Sequence, residues 1–118
     1  MTDNANLDAG FARLLRLAQA RNLAPVEAST SYGTPALKVG DAAFVRMLDA
    51  QTAVLQCPVD QKVLLMEISP DIYYETEHYV GYDAMLVRLD RIDDEELSLR
   101  LHDAWIFKAP EKLKSSRT

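Results

Sequence analysis

Between residues 26 and 56 the chain is cut into short β-prone runs by tight-turn residues, and this punctuation limits the fold more than any other feature. Ser29 to Tyr32 is followed by Gly33-Thr34-Pro35, Ala36 to Val39 by Gly40-Asp41, and Ala43 to Leu48 by Asp49-Ala50-Gln51, before a last run from Thr52 to Gln56. Connections this short join antiparallel neighbours, and Gly40 supplies the positive φ that hairpin turns require. A β-meander is therefore expected in the first half of the chain.

The flanking segments read as helices. Leu7, Phe11, Leu14, Leu15 and Ala18 recur at three- and four-residue steps from Leu7 to Arg21, with Arg13 and Arg16 on the opposite face. Pro58 suits a first helical turn, and a helix from there to about Ile68 is stopped by Ser69-Pro70. Its apolar residues point most ways round, so deep burial is expected. Ile72-Tyr73-Tyr74 and Ala84 to Leu89 read as strands. Asp93 or Asp94 caps a last helix that ends before Ala109-Pro110, with Glu95 and Glu96 near its positive end. The expected order is α-β-β-β-β-α-β-β-α, an α+β fold with a mainly antiparallel sheet and about three helices. The boundaries that follow are a disordered N-terminus at 1–6, a single domain at 7–110 and a flexible basic tail at 111–118.

The 118 residues suit one domain, and a hydrophobic fraction of 48% supplies its core. The polar start from Met1 to Asn6 lacks the pattern of a signal peptide, and no apolar run is long enough for a membrane span. With a single cysteine, Cys57, an internal disulfide is excluded, and a cytoplasmic location is expected. A net charge of −5 argues against nonspecific coating of nucleic acid or anionic membrane. The charge is uneven: residues 71–103 are rich in carboxylates, whereas Arg13, Arg16, Arg21, Lys108, Lys112, Lys114 and Arg117 make the first helix and the tail basic. These two basic segments would form a positive face only if the fold brings them together.

Ser31-Tyr32-Gly33-Thr34-Pro35-Ala36-Leu37-Lys38-Val39, Glu77-His78-Tyr79-Val80-Gly81-Tyr82, Met85 to Asp90, and Asp103-Ala104-Trp105 with Ala109-Pro110 together resemble the MmcQ/YjbR family, from roughly Phe11 to Leu113. That resemblance implies a small α+β domain likened to a double-wing DNA-binding motif. It brings no established catalytic residues. Family members often carry a lysine just after the hairpin turn; here the run is Gly40-Asp41-Ala42-Ala43-Phe44, so that cation is missing and Asp41 adds a negative charge.

Two candidate sites emerge. His78, Tyr79, Gly81 and Tyr82 place two aromatics, an imidazole and a glycine on one connection, a composition suited to recognising a protein or a small ligand. The other reading of the same loop is that its tyrosines cover the core and Gly81 permits the turn. Lys38 and Arg46 on successive hairpin strands, with Arg88, are the candidates for nucleic acid, the alternative that the resemblance implies. Whether those three share a face is left open by the sequence. No nucleophile–base–orienter set is visible, so the reading is a binding module without catalytic residues, cofactor or metal. Cys57 before Pro58 would be activated if it sat at a helix N-terminus with His78 as base, but a buried structural thiol explains it better. His102 lacks a partner in Asp103, because adjacent helical side chains point in different directions. The Asp93 to Glu96 run is a cap rather than a calcium loop, and Ser29 to Thr34 falls short of a phosphate-binding loop.

Overall fold

The computed structural model describes residues 2–111. Helix α1 (Thr2–Ala20) precedes four strands in hairpin succession: β1 (Glu27–Ser31), β2 (Thr34–Val39), β3 (Ala42–Asp49) and β4 (Thr52–Gln56). Helix α2 (Val59–Ile68), the two-residue strand β5 (Tyr73–Tyr74), a 3-10 turn (Glu77–Tyr79), β6 (Ala84–Arg88) and α3 (Asp94–Lys108) follow. The fold is α+β in the expected order. Five antiparallel pairings join six strands in the order β1-β2-β3-β4-β6-β5, so the chain leaves the meander after β4 and returns β6 beside it. Of the expected tail at 111–118, all but Glu111 lies outside the described residues, as does Met1.

The period-two alternation of the strands separates two faces. Leu37, Val39, Val45, Met47, Leu55, Met85 and Val87 point to one side and meet Leu14, Leu17 and Ala18 of α1 and Leu97, Leu101, Ala104 and Trp105 of α3. Gly10 lets α1 lie close to β3, since a Cβ there would overlap the end of Met47. The Trp105 indole N–H donates to the Pro25 carbonyl at 3.1 Å, so the ring is buried without a stranded donor. Asp93 is the cap of α3, accepting from the Glu96 N–H at 2.8 Å.

Arg13 is not a free surface cation. Its guanidinium donates to the carbonyls of Leu89 and Ile92, both at 2.7 Å, and to Asp94 at 2.8 Å, fastening α1 to the entry of α3. The hydrogen bond from Arg13 holds the Asp94 carboxyl below its ordinary range. Arg16 also reaches Asp94, at 3.3 Å, and Arg21 donates to the Ser98 hydroxyl at 3.0 Å. Arg13, Arg16 and Arg21 thus all reach toward α3, while Lys112, Lys114 and Arg117 of the tail lie outside the described residues.

The expected burial of α2 is wrong. Val63, Leu64 and Ile68 are exposed, Leu65 and Met66 are half-buried, and the fully buried side chain of this helix is Lys62. The apolar residues surround the helix and so favour no single face. The ammonium decides, because it cannot be buried except where acceptors await it.

Leu64→Gln should change stability by no more than about 0.5 kcal/mol, as substitutions on exposed surface do. Leu101→Ala in α3 should cost about 2–5 kcal/mol. Urea unfolding of both variants checks the pair, and equal losses would contradict this orientation of α2.

Candidate functional site

Among the described residues no helix covers the second face of the sheet. Ala36, Arg46, Val54, Leu86 and Tyr74 form a row of directly paired residues across it. Val54, Ala84 and Leu86 make a small apolar cluster there, with Tyr74 and Tyr79 packed on it. The segment from Glu75 to Tyr82 passes over this face, and Lys62 holds it in place. The Lys62 ammonium donates to the Tyr82 carbonyl at 2.7 Å and the Tyr79 carbonyl at 3.0 Å, and pairs with Glu75 at 2.8 Å. Three acceptors match its three N–H groups, which is what makes 1% exposure tolerable. Gly81, at φ +84°, turns the chain between the two carbonyls; a Cβ there would meet nothing.

Arg46 joins this segment to the hairpin. Its guanidinium donates to the Tyr79 hydroxyl at 2.9 Å and the Thr34 hydroxyl at 3.3 Å, and it lies 5.2 Å from the centre of the Tyr32 ring. The Thr34 hydroxyl in turn donates a hydrogen bond to the Ser31 carbonyl at 3.1 Å. Among the described residues no carboxylate pairs with Arg46. Tyr32 and Gly33 form the β1–β2 turn with φ of +53° and +82°, the two positive values of a type I′ connection. A bulky tyrosine is costly in the left-handed region, yet this ring is 91% exposed and packs into no core.

A hollow of about 610 Å³ opens between these groups. Its walls include Tyr32, Arg46, His78, Tyr82, Asp83 and Lys108. The His78 ring meets Tyr79 edge-on at 4.8 Å and lies 6.0 Å from Tyr82. Asp83 accepts from the Val59 N–H at 3.0 Å, tying the wall to the start of α2.

Three residues of the loop candidate, His78, Tyr79 and Tyr82, therefore line one hollow, and Gly81 shapes the turn behind them. Tyr79 also covers the apolar cluster, so the two readings of the loop meet in that residue. Of the nucleic-acid candidates, only Arg46 reaches the hollow. Register nevertheless places Lys38, Arg46 and Arg88 on the same sheet face, two residues apart along β2 and β6 from the paired row. Each has company: Glu27 lies opposite Lys38, and Arg88 stacks 4.0 Å above Tyr74 beside Asp71 and Asp90. Tyr73 points the other way into the core, hydrogen-bonded to Glu96; burial, then that carboxylate, raises its hydroxyl above the ordinary range.

Cys57 belongs to the helix-covered core, and burial pushes its thiol up to about 11. It is a neutral buried thiol, remote in character from an activated nucleophile. His102 and Asp103 do approach, against expectation, at 3.7 Å. That is too long for a hydrogen bond, and Asp103 reaches Gln61 at 3.3 Å and Arg100 at 3.4 Å. Among the described residues no cluster of three histidine, cysteine or carboxylate side chains is placed to hold a metal, and no helix is long and apolar enough to cross a membrane.

Sequence reasoning missed Lys62, Tyr32 and Lys108 as parts of this site. The apolar residues Val63 to Met66 directly after Lys62 were a weak signal for that lysine, and a tyrosine before Gly33 at a turn was one for Tyr32. Nothing local marked Lys108.

No family model matches the chain, and no solved structure matches it. It is similar to uncharacterised proteins of Mycobacterium bovis and Mycobacterium tuberculosis, each 38% identical over 52 residues, or 44% of this chain. The match covers 40% of the length of each relative.

Two outcomes test the framework of the site. Lys62→Met should cost about 3–5 kcal/mol, because it leaves Glu75 and two carbonyls without their cation. Amide exchange at Tyr82 should quicken in the same variant, and unchanged exchange there would mean that the ammonium does not hold the loop. The raised Cys57 thiol gives a pH dependence of defined sign. Its contribution is full below about 9, the thiol's ordinary value, and is lost as pH rises through about 11. Cys57→Ala should therefore flatten the fall in stability between those values, measured by urea unfolding.

Proposed function

We propose that this protein is a non-enzymatic small-ligand recognition module whose site is the hollow between the β1–β2 turn and the His78–Tyr82 loop. The observation that carries the reading is the convergence of Tyr32, Arg46, His78, Tyr82 and Lys108 on one concavity of about 610 Å³. This volume falls within the range of about 300–1,000 Å³ usual for small-molecule sites. Apolar floor, aromatic walls and a few convergent polar groups are the ingredients such sites share. The segment that forms the wall is anchored through a buried ion pair, so the walls are held before a ligand arrives.

A DNA-binding role is the second reading, favoured by the register that sets Lys38, Arg46 and Arg88 on one face. On the quoted motifs alone, we also propose kinship with the MmcQ/YjbR proteins. The position of Glu27 opposite Lys38 in the strand register, the missing cation after the turn and the net charge of −5 weigh against the DNA role.

Amide-shift mapping against a fragment library separates the two. Shifts should cluster at Tyr32, Arg46, His78, Tyr82 and Lys108. Tyr82→Ala should weaken the best fragment by about tenfold, as loss of a stacking face does, with the melting temperature unchanged. If instead only duplex DNA moves amides from Lys38 to Arg46, and the effect fades with added salt, the small-ligand reading fails and the DNA reading replaces it.

A further inference from the structure

We infer that the hollow selects small planar molecules that carry an oxyanion, a carboxylate or a phosphate, with the anion on Arg46 and the ring against Tyr32 and Tyr82. This rests on the small-ligand reading above and names the ligand class.

The first ground is charge. Arg46 is half-buried, and among the described residues its side-chain contacts are two hydroxyls and an aromatic ring, all neutral. A guanidinium held by neutral groups keeps its full attraction for a carboxylate or phosphate and offers a planar fork that fits either. Lys108 brings a second cation to the same hollow, and His78 a further donor. Asp83 is the carboxylate of the wall, and one of its oxygens is already occupied by the Val59 N–H. In a chain of net charge −5, diffuse attraction does not draw anions in, so selection falls to these built contacts.

The second ground is Tyr32, and it is independent of charge. Its backbone adopts a conformation in which glycine or asparagine is favoured, and its ring is almost wholly exposed. Neither turn formation nor core packing accounts for a tyrosine there. A flat ligand does: the ring stands at the mouth of the hollow above Arg46, and Tyr82, 59% exposed, offers another aromatic surface in the same hollow. Stacking is tolerant of ring identity, whereas the guanidinium discriminates charge, so the pair predicts a class rather than one compound.

The test is titration of the labelled full chain with two matched pairs, adenosine 5′-monophosphate against adenosine and 4-hydroxybenzoate against 4-hydroxybenzamide. At least one anionic probe should bind in the hollow about tenfold or more tighter than its neutral partner. The pair that shows this identifies phosphate or carboxylate as the preferred anion. Arg46→Gln should erase the difference while neutral probes still bind. Tyr32→Asn should weaken both members of a pair by about tenfold without lowering the melting temperature. Because Arg46 also braces Tyr79, Lys108→Gln serves as a second charge variant and should reduce the same preference in part. Equal binding of anionic and neutral probes in the hollow overturns the inference but leaves the small-ligand reading standing. Failure of both anions to move the amides of the hollow overturns it as well. A strand of about twelve deoxyadenosines that binds over tenfold tighter than the mononucleotide also overturns it, since the site then tracks a backbone.

Discussion

The buried ammonium of Lys62 is the interaction on which the rest of the second sheet face depends. An ammonium can be taken out of water only if each N–H finds an acceptor, and here the acceptors are two backbone carbonyls of the Glu75–Tyr82 segment and the Glu75 carboxylate. That requirement turns α2 so that Val63 and Leu64 face outward, and it brings the loop over the apolar patch of Val54, Ala84 and Leu86. Once the loop is held, Tyr79 lies within reach of Arg46, and the hollow has its far wall. A helix without a clear apolar face is thus oriented by one charge.

The two faces of the sheet divide the work. The helix-covered face is closed by ordinary apolar packing, locked at its rim by Arg13 binding the carbonyls of Leu89 and Ile92 and the carboxylate of Asp94. Cys57, Tyr73 and Trp105 are drawn into that core, which raises the thiol and the phenol above their ordinary ranges. The open face keeps polar groups whose partners are neutral or partial. Arg46, His78, Tyr82 and Lys108, the last residue of α3, converge on the hollow there.

The loop candidate was legible because its aromatics are contiguous: His78, Tyr79 and Tyr82 sit on one connection that the fold had to expose or fold over the sheet. Arg46 was legible as a cation on a hairpin strand, but its role was not. Its partner Tyr79 is 33 residues away, and that contact exists only because β6 returns beside β4 and carries the preceding loop with it. Tyr32 belongs to a turn visible in the sequence, but its positive φ is revealed only by the turn geometry. Lys62 is one of three charged residues of α2, with Asp60 and Glu67, and a lysine on a helix ordinarily keeps its ammonium in water, so its burial is not marked locally. His102 and Asp103 reached each other because flexible side chains can close a gap that their Cα directions leave open.

By itself the sequence determined the meander, the three helices, a carboxylate cap at Asp93 or Asp94 and the α+β class, because turns, caps and hydrophobic periods act over a few residues. The tertiary structure alone decided which side of α2 is buried, that β6 pairs with β4, and that Arg46 and Lys108 share a hollow with the His78–Tyr82 loop. Those outcomes depend on satisfying donors and acceptors between residues far apart in the chain, and such matching is settled only when the segments meet.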